Sequence, residues 1–496
     1  MINRFPCKLL LTLCSVSALN IFAGDSSLTS ARPNILLILA DDLGWKDTGY
    51  AGSDFYETPD IDRLAKSGMV FTDAYAAAGN CAPSRACLHS GNYTPRHGVY
   101  AVGSTDRGPK NLQRLVPIPN KSGLAKANIT VADALKEAGY ATGLFGKWHL
   151  GGQDGCAPTE QGFDVFYDPK GEHANVSKGK IQDDPKGIFA ITKAAVKFMA
   201  TNAAAKKPFF AFVSHHAIHT AQEARQETFD HFQAKARGAQ HKNVLYAACT
   251  RDFDTAVGQL LARLDEMGLA TNTLVIFTSD NGGTQQSSQE PLRGNKGCYY
   301  EGGIREPFIA RWPGVIKPGA SNSTPVINVD LFPTFLAVAG ASTPAGKVLD
   351  GENLLPLLRG DGALKRRGIF WDFPGYLDNP VIRGRDPVFR SRPVTVIRKG
   401  DWKLHLYLEE WQLDGGRAGL ATNNAVELYN LRADIGERRN LALENKSQRD
   451  ELLNDLLAWI KSLNAPCPAQ TNAAYDPAAN TPAGKGARRK ATNSDE

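Results

Sequence analysis

The sequence predicts an α/β chain in which a large mixed, mostly parallel sheet is sandwiched by helices, followed by a smaller C-terminal antiparallel sheet with one helix. Three observations predict it. Four apolar, β-favouring runs are spread over the first 280 residues, and each leads into polar residues. The stretches between them carry helix caps and helical periodicity. Beyond about Lys365 the texture changes to short strands separated by turns. Runs that are apolar at every position belong to strands buried on both faces, which is the condition of a parallel or mixed sheet covered by helices.

In chain order, Met1 to about Ala23 places Arg4 and Lys8 ahead of the apolar stretch Leu9 to Leu19, with Ala23 as a small residue before cleavage. Residues 1–23 therefore read as a secretory signal peptide, and a secreted or periplasmic location follows. Cys14 is not read as a lipid-attachment site, because Leu13 is too large for the position before one and the apolar run preceding it is short. No later stretch reaches membrane-spanning length.

The first run, Asn34–Ala40, leads into Asp41-Asp42, and Ala141–Gly146 leads into Lys147-Trp148-His149. Pro208–Ser214 runs into His215-His216-Ala217-Ile218-His219, and Thr273–Ser279 into Asp280-Asn281. Ligands of such sheets sit beyond the carboxyl ends of the strands, so four such ends point to one shared site. Between the runs, Thr58-Pro59 starts a helix ending near Gly68, and Thr130 caps one that stops at Gly139. Asp254, Val257, Leu260, Leu261 and Leu264 form a helical stripe that ends at Gly268. A helix over Pro83–Ser90 would leave residue 81 at its amino end, where free backbone N–H groups and the helix dipole favour an anion.

In the C-terminal part, Gly368–Asp372, Val394–Leu406 and Glu427–Leu431 read as strands, and roughly 447–463 as a final helix. The expected division is a catalytic domain over 30–365, an α+β subdomain over 366–466 and a disordered tail over 467–496, where Pro, Ala, Asn and Gly show no periodicity.

The net charge of +6 includes the Arg4 and Lys8 of the leader, an excess too mild to suggest a nucleic-acid partner. Six cysteines follow the leader, at 81, 87, 156, 249, 298 and 467. An exported location permits a disulfide or two, but the spacing names no pairs, and the lack of a CxxC pair argues against a cysteine-type zinc site. Asp41, Asp42, Asp280 and Asn281 offer hard oxygen donors at two strand ends, which suits calcium better than zinc or copper and leaves magnesium open.

Four motifs carry a family resemblance: Cys81-Ala82-Pro83-Ser84-Arg85, Gly139 to Gly151 with Gly146-Lys147-Trp148-His149, Lys296 to Pro307, and Arg398-Lys399-Gly400-Asp401-Trp402-Lys403-Leu404. Together they resemble the formylglycine-dependent sulfatases of the alkaline phosphatase superfamily, over about Arg32 to Pro477. The resemblance implies an alkaline-phosphatase-like fold and oxidation of Cys81 to 3-oxoalanine (formylglycine) by a separate formylglycine-generating enzyme. The aldehyde's hydrate attacks the sulfur of a sulfate ester, and its collapse back to aldehyde expels sulfate, a release that a thiol bonded to sulfur does not offer.

By the same resemblance one Ca²⁺ is held by Asp41, Asp42, Asp280, Asn281 and an oxygen of modified residue 81. Arg85 turns back toward the hydrate, and Lys147 and Lys296 hold the sulfate oxygens. His149 bonds the hydrate or sulfate, and His219 is the general acid, with His215 and His216 competing for that role. Ser90 stands where the family commonly has Thr, and His89 either reaches the cleft or, the favoured reading, lies at the surface.

Export and a cationic sulfate pocket suit a sulfated carbohydrate, with carrageenan, fucan and glycosaminoglycan types all open. Arg383, Arg385, Arg390 and Arg392 either line the cleft or form a solvated strand face, and the loop Val102–Gly123 with Arg107, Lys110 and Arg114 is a candidate second wall. The alternatives to a carbohydrate sulfatase are a formylglycine-dependent phosphodiester or phosphonate monoester hydrolase, and an inactive sulfated-glycan binding protein.

Overall fold

The computed structural model describes Met1 and residues 32–152, 154–169 and 181–479. Residues 2–23 of the expected signal peptide and the last part of the expected tail, from 480, lie outside the described residues. Among the described residues there are fourteen strands: β1 Asn34–Ala40, β2 Met69–Phe71, β3 Ala74–Tyr75, β4 Ala141–Gly146, β5 Val165–Tyr167, β6 Phe209–Ser214, β7 Thr273–Ser279, β8 Phe308–Arg311, β9 Ala320–Asn322, β10 Val326–Ile327, β11 Ile369–Phe373, β12 Val394–Lys399, β13 Trp402–Tyr407 and β14 Val426–Asn430.

Eight of them form one sheet in the order β5-β4-β6-β1-β7-β8-β2-β9. All its pairs are parallel except those that β8 makes with β7 and β2. The apolar runs become the inner strands because both faces need covering. In β1, Ile35, Leu37 and Leu39 enter one core with the helices Val131–Glu137 and Leu331–Ala339. Leu36, Ile38 and Ala40 enter the other, with Pro59–Ser67, Ile188–Ala204 and Val244–Glu266. The period-2 geometry of a strand thus feeds two hydrophobic layers from one apolar segment, and each fully buried Leu or Ile contributes about 1.5–3 kcal/mol.

The helices follow their sequence signals with two differences. Thr130 forms a capping box with Asp133. Thr58 makes no side-chain cap, because its hydroxyl donates to the carboxylate of Asp62 and accepts from the N–H of Gly49. Val244–Glu266 extends ten residues before the stripe that betrayed it, capped by Asn243, whose side chain accepts from the N–H of Tyr246.

The C-terminal sheet, β11-β12-β13-β14, is antiparallel throughout. The segment read as one strand over 394–406 is a hairpin, turning at Gly400, whose φ of 58° suits a residue without Cβ. Ile397, Leu404, Leu406 and Leu428 pack on the helix Lys446–Ser462, while Trp371, Phe373 and Val396 face Tyr75, Tyr93 and Tyr299. From Arg32 onward both sheets belong to one compact unit.

The expectation of a structureless segment from Cys467 fails for its described part. Leu115 bridges Thr471, Val116 donates to the carbonyl of Gln470, and the Asn472 side chain donates to the carbonyls of Lys110 and Gln113. These backbone groups satisfy one another, so a segment without apolar periodicity is held by hydrogen bonds that no hydrophobic pattern reveals.

Candidate active site

Because β1, β4, β6 and β7 run parallel, their carboxyl ends open on one edge of the sheet. Two turns there adopt left-handed backbone conformations at non-glycine residues, Asp42 at φ 70° and His149 at φ 64°. Such conformations cost energy and persist where packing over-determines them, commonly at functional sites. Gly146, at φ 99°, closes β4 where an added Cβ would come within 2.0 Å of the Ser214 carbonyl, so β4 and β6 approach as closely as they do only with glycine there.

Cys81 is the first residue of the helix Cys81–Ser90 and is buried. One turn on, Arg85 is 1% exposed and reaches three elements. It donates to Asp280 Oδ2 through Nε at 2.9 Å, to Ser214 Oγ at 2.6 Å and to the Lys147 carbonyl at 2.8 Å. Ser214 is a site residue that sequence reasoning did not single out, although it closes an apolar run already marked.

Asp41, Asp42 and Asp280 are buried together. Lys147 Nζ lies 2.7 Å from Asp41 Oδ2, and Lys296 Nζ lies 2.9 Å from Asp42 Oδ1. Asn281 Nδ2 donates to Asp42 Oδ1 at 2.8 Å. Burial presses the Asp41 carboxyl upward, but Lys147, His219, Arg85 and Lys296 overcome it and hold the group well below the carboxylate range. At Asp280 burial and the charge of Asp41 prevail over Arg85 and push the carboxyl well above it. Three carboxylates thus meet three cations, Arg85, Lys147 and Lys296, and at Asp280 burial and the neighbouring carboxylates still outweigh the arginine.

The convergence of these side-chain oxygens fits a hard cation. Ligand atoms of Asp41, Cys81 and Asp280 lie within 4.8 Å of one another, as do those of Asp41, Asp42 and His219. Asp41 Oδ1 and Asn281 Oδ1 are buried and accept no hydrogen bond among the described residues. Four oxygen-bearing side chains with two orphaned oxygens match calcium or magnesium better than a soft metal.

The histidines separate by environment. His149 is neutral, its pKa lowered to about 3 by burial and then by Lys147 and Arg85, and its Nδ1 has no partner among the described residues. His215 bonds Thr192 Oγ1 at 3.0 Å and is lowered to about 3, chiefly by burial. His216 pairs with Asp168 at 2.8 Å, a partner that no sequence signal marked. His219 is the more open of the three, with Nδ1 2.6 Å from the Thr220 carbonyl and Nε2 3.8 Å from Asp42 Oδ2.

Two expectations are corrected. His89 is not at the surface but fully buried, its ring packed against Trp148, Phe163 and Phe212. The four arginines do not act as one cleft wall. Arg385 bonds Glu410 and Glu427 and stacks on Tyr407 with 3.6 Å to the ring centroid, and Arg392 pairs with Asp386 and Glu409. Arg390, whose Nη1 lies 3.4 Å from the Lys296 carbonyl, and Arg383 stand nearer the site loops. In the loop 102–123 the cations are likewise paired, Arg107 with Asp378, Lys110 with Asp106 and Arg114 with Asp414. The six described cysteines are all free thiols.

The fourth motif lies beneath the Lys296 loop. Lys403 is buried between Glu301 at 2.9 Å and Glu437 at 3.0 Å, and Arg398 pairs with Asp73 and Tyr75. Through Glu301 this network ties the C-terminal sheet to the segment that carries Lys296.

Buried carboxylates, two lysines and a cysteine-headed helix at the carboxyl edge of a mostly parallel sheet make a candidate hydrolase site, and comparison with known proteins gives its class. The family profile described as Sulfatase matches residues 33–341, and that described as N-sulphoglucosamine sulphohydrolase, C-terminal, matches 294–465. The chain belongs to the sulfatase family. A sulfatase of Formosa agariphila is 33% identical over 522 residues, covering 88% of this chain and 90% of the relative. Human arylsulfatase A is 33% identical over 467 residues, covering 84% and 85%. The crystal structure of Ps i-CgsB in complex with k-i-k-neocarrahexaose superposes with a TM-score of 0.69 at 29% identity, over 89% of this chain and 95% of that one. The chain is accordingly a sulfuric ester hydrolase with a mixed, mostly parallel sheet and a separate antiparallel one. Among the described residues no helix is long and apolar enough to cross a membrane.

Proposed function

We propose that the protein removes sulfate from a sulfated carbohydrate, using formylglycine made from Cys81 and a bound calcium ion. The observation that carries this reading is the meeting of Cys81 with Asp41 and Asp280 at the head of a helix, flanked by Lys147 and Lys296. A glycan substrate is supported by the oligosaccharide-bound neighbour.

Formylglycine at position 81 supplies a hydrated aldehyde oxygen as nucleophile toward sulfur. Asp41, Asp42, Asp280 and Asn281 would hold the calcium ion, which would supply positive charge beside the reacting oxygens. Arg85 fixes Asp280, Ser214 and the Lys147 carbonyl in one arrangement, which sets the geometry of three strand ends. Lys147 and Lys296 bind the sulfate oxygens, where negative charge must be held as the S–O bond breaks. His149, neutral, orients the sulfate by a hydrogen bond. His219 gives a proton to the departing alcohol oxygen, so the sugar leaves as an alcohol and not as an alkoxide. With Nδ1 held against the Thr220 carbonyl, Nε2 is the nitrogen left to face the substrate.

The leader over 1–23 supports a secreted or periplasmic location, and Cys81 requires a formylglycine-generating enzyme as partner. The test is a screen of matured protein against sulfated oligosaccharides and matched phosphate esters. Release of sulfate from an oligosaccharide, with phosphate esters poor, is the expected result. Preference for the phosphate esters contradicts it.

A further inference from the structure

A polar cleft of about 470 Å³ opens beside the site between three segments, 240–243, 285–290 and 382–383. Its volume lies in the range of small-ligand sites. Its floor is continuous with the catalytic loops. Asn295, on the floor, precedes Lys296, whose N–H donates to the Gly283 carbonyl at 2.9 Å. Gln289, also in the lining, packs its amide over Gly44 and Gly283, each two residues from a candidate metal ligand, Asp42 and Asn281.

The chemistry of the walls is specific. Gln240, Lys242 and Gln285 are exposed, and their side chains make no hydrogen bond or ion pair among the described residues. Asn243 and Gln286, by contrast, are bonded to each other across the cleft at 3.0 Å, so two walls are held at a fixed separation. Ile382 is 71% exposed, a large apolar side chain left in water at the rim. It precedes Arg383, which has a left-handed backbone at φ 58° and pairs with Glu290 at 3.3 Å. Free amides match the paired donor and acceptor of sugar hydroxyls, an exposed aliphatic group matches the C–H face of a pyranose, and a free ammonium matches sulfate or carboxylate.

We propose that this cleft is a binding subsite for the sugar unit next to the one being desulfated, with Lys242 taking an anionic substituent of that neighbour and Gln240 and Gln285 its hydroxyls. The proposal rests on the glycan reading above and deepens it. The enzyme then selects a chain of at least two sugars, and the neighbour's charge pattern sets which chains are accepted.

The experiment compares kcat/KM for tetrasaccharides from carrageenan, fucan and chondroitin sulfate, for the corresponding sulfated monosaccharides, and for 4-nitrophenyl sulfate, which fills the sulfate pocket alone. For wild type the best tetrasaccharide exceeds its monosaccharide. In Lys242→Glu the ratio of tetrasaccharide to aryl sulfate falls about tenfold or more, in Gln285→Ala severalfold, and Lys242→Arg restores most of it. Both positions are exposed, so the variants fold. A tetrasaccharide that is hydrolysed with the same ratio by all variants, or no better than its monosaccharide, overturns the subsite and leaves the glycan reading standing. Hydrolysis of the aryl sulfate with no saccharide of the panel turned over overturns both.

Discussion

Arg85 contacts one oxygen of Asp280 with two nitrogens, Nε at 2.9 Å and Nη2 at 2.8 Å, and both residues are buried. The same guanidinium also donates to Ser214 and to the Lys147 carbonyl, so one side chain joins the ends of β4, β6 and β7. Lysine, a point charge with three donors on a flexible stem, cannot copy that planar arrangement. Arg85→Ala should cost about 3–5 kcal/mol, because it leaves a buried carboxylate cluster uncompensated. Urea unfolding of chelated protein measures this, and Arg85→Lys should fall between wild type and Ala. A loss below 1 kcal/mol would show that the cluster neutralises itself by taking up protons.

Removing the metal should abolish turnover, and calcium should restore it. Binding is also visible without activity. Calcium at about a hundredfold over its dissociation constant should add about 2.7 kcal/mol of stability to the wild type. Asp280→Asn, which removes one charge from the hard-oxygen set, should need far more calcium for the same shift. Full turnover by metal-free protein contradicts the assignment.

The arginine cluster makes a different prediction from the one its spacing suggested. Arg385 is held by Glu410, Glu427 and the face of Tyr407, so Arg385→Ala should lower stability by about 1.5–3 kcal/mol, the value of a charged hydrogen bond. Its kcat/KM for a sulfated oligosaccharide and for an aryl sulfate should change in parallel. A loss confined to the oligosaccharide would put Arg385 in contact with the glycan.

His89 makes acid sensitivity part of the core. Burial, with Arg85 adding to it, lowers its pKa to about 3 from the ordinary 6.5, so the folded protein keeps the ring neutral while the unfolded chain takes up a proton. Stability contributed by this residue is present above pH 6.5 and is lost as pH falls from 6.5 toward 3, at about 1.4 kcal/mol per pH unit once the unfolded ring is protonated. His89→Phe should reduce the stability lost between pH 7 and pH 5. An unchanged loss would mean that the ring is not neutral in the fold.

Sequence and structure agree where a single physical constraint acts locally. β1 and β7 occupy the residues marked as apolar runs, since strands buried on both faces keep an unbroken apolar centre, 35–40 and 274–277, that marks them. Asp41, Asp42, Asp280 and Asn281 converge because parallel strands put their carboxyl ends on one edge. What stayed hidden depends on distant partners. Glu409, Glu410 and Glu427 neutralise Arg385 and Arg392 from distant positions in the chain, so the sequence left the run of arginines open between a cleft wall and a solvated strand face. The burial of His89 needs three aromatic residues from three separate segments. The pairing of 470–472 with the loop at 110–116 uses backbone groups and the amide of Asn472, which leave no mark in the hydrophobic pattern.

The proposed chemistry requires that residue 81 of the working enzyme be an aldehyde. Mass analysis of the proteolytic peptide containing position 81, from protein of measured specific activity made in a host with a formylglycine-generating enzyme, tests it directly. The peptide's mass should show the thiol replaced by an aldehyde, in a fraction that rises in proportion to activity, and a Cys81→Ala variant should fold and be inert. Full activity in protein whose peptide carries only the unmodified thiol would contradict it.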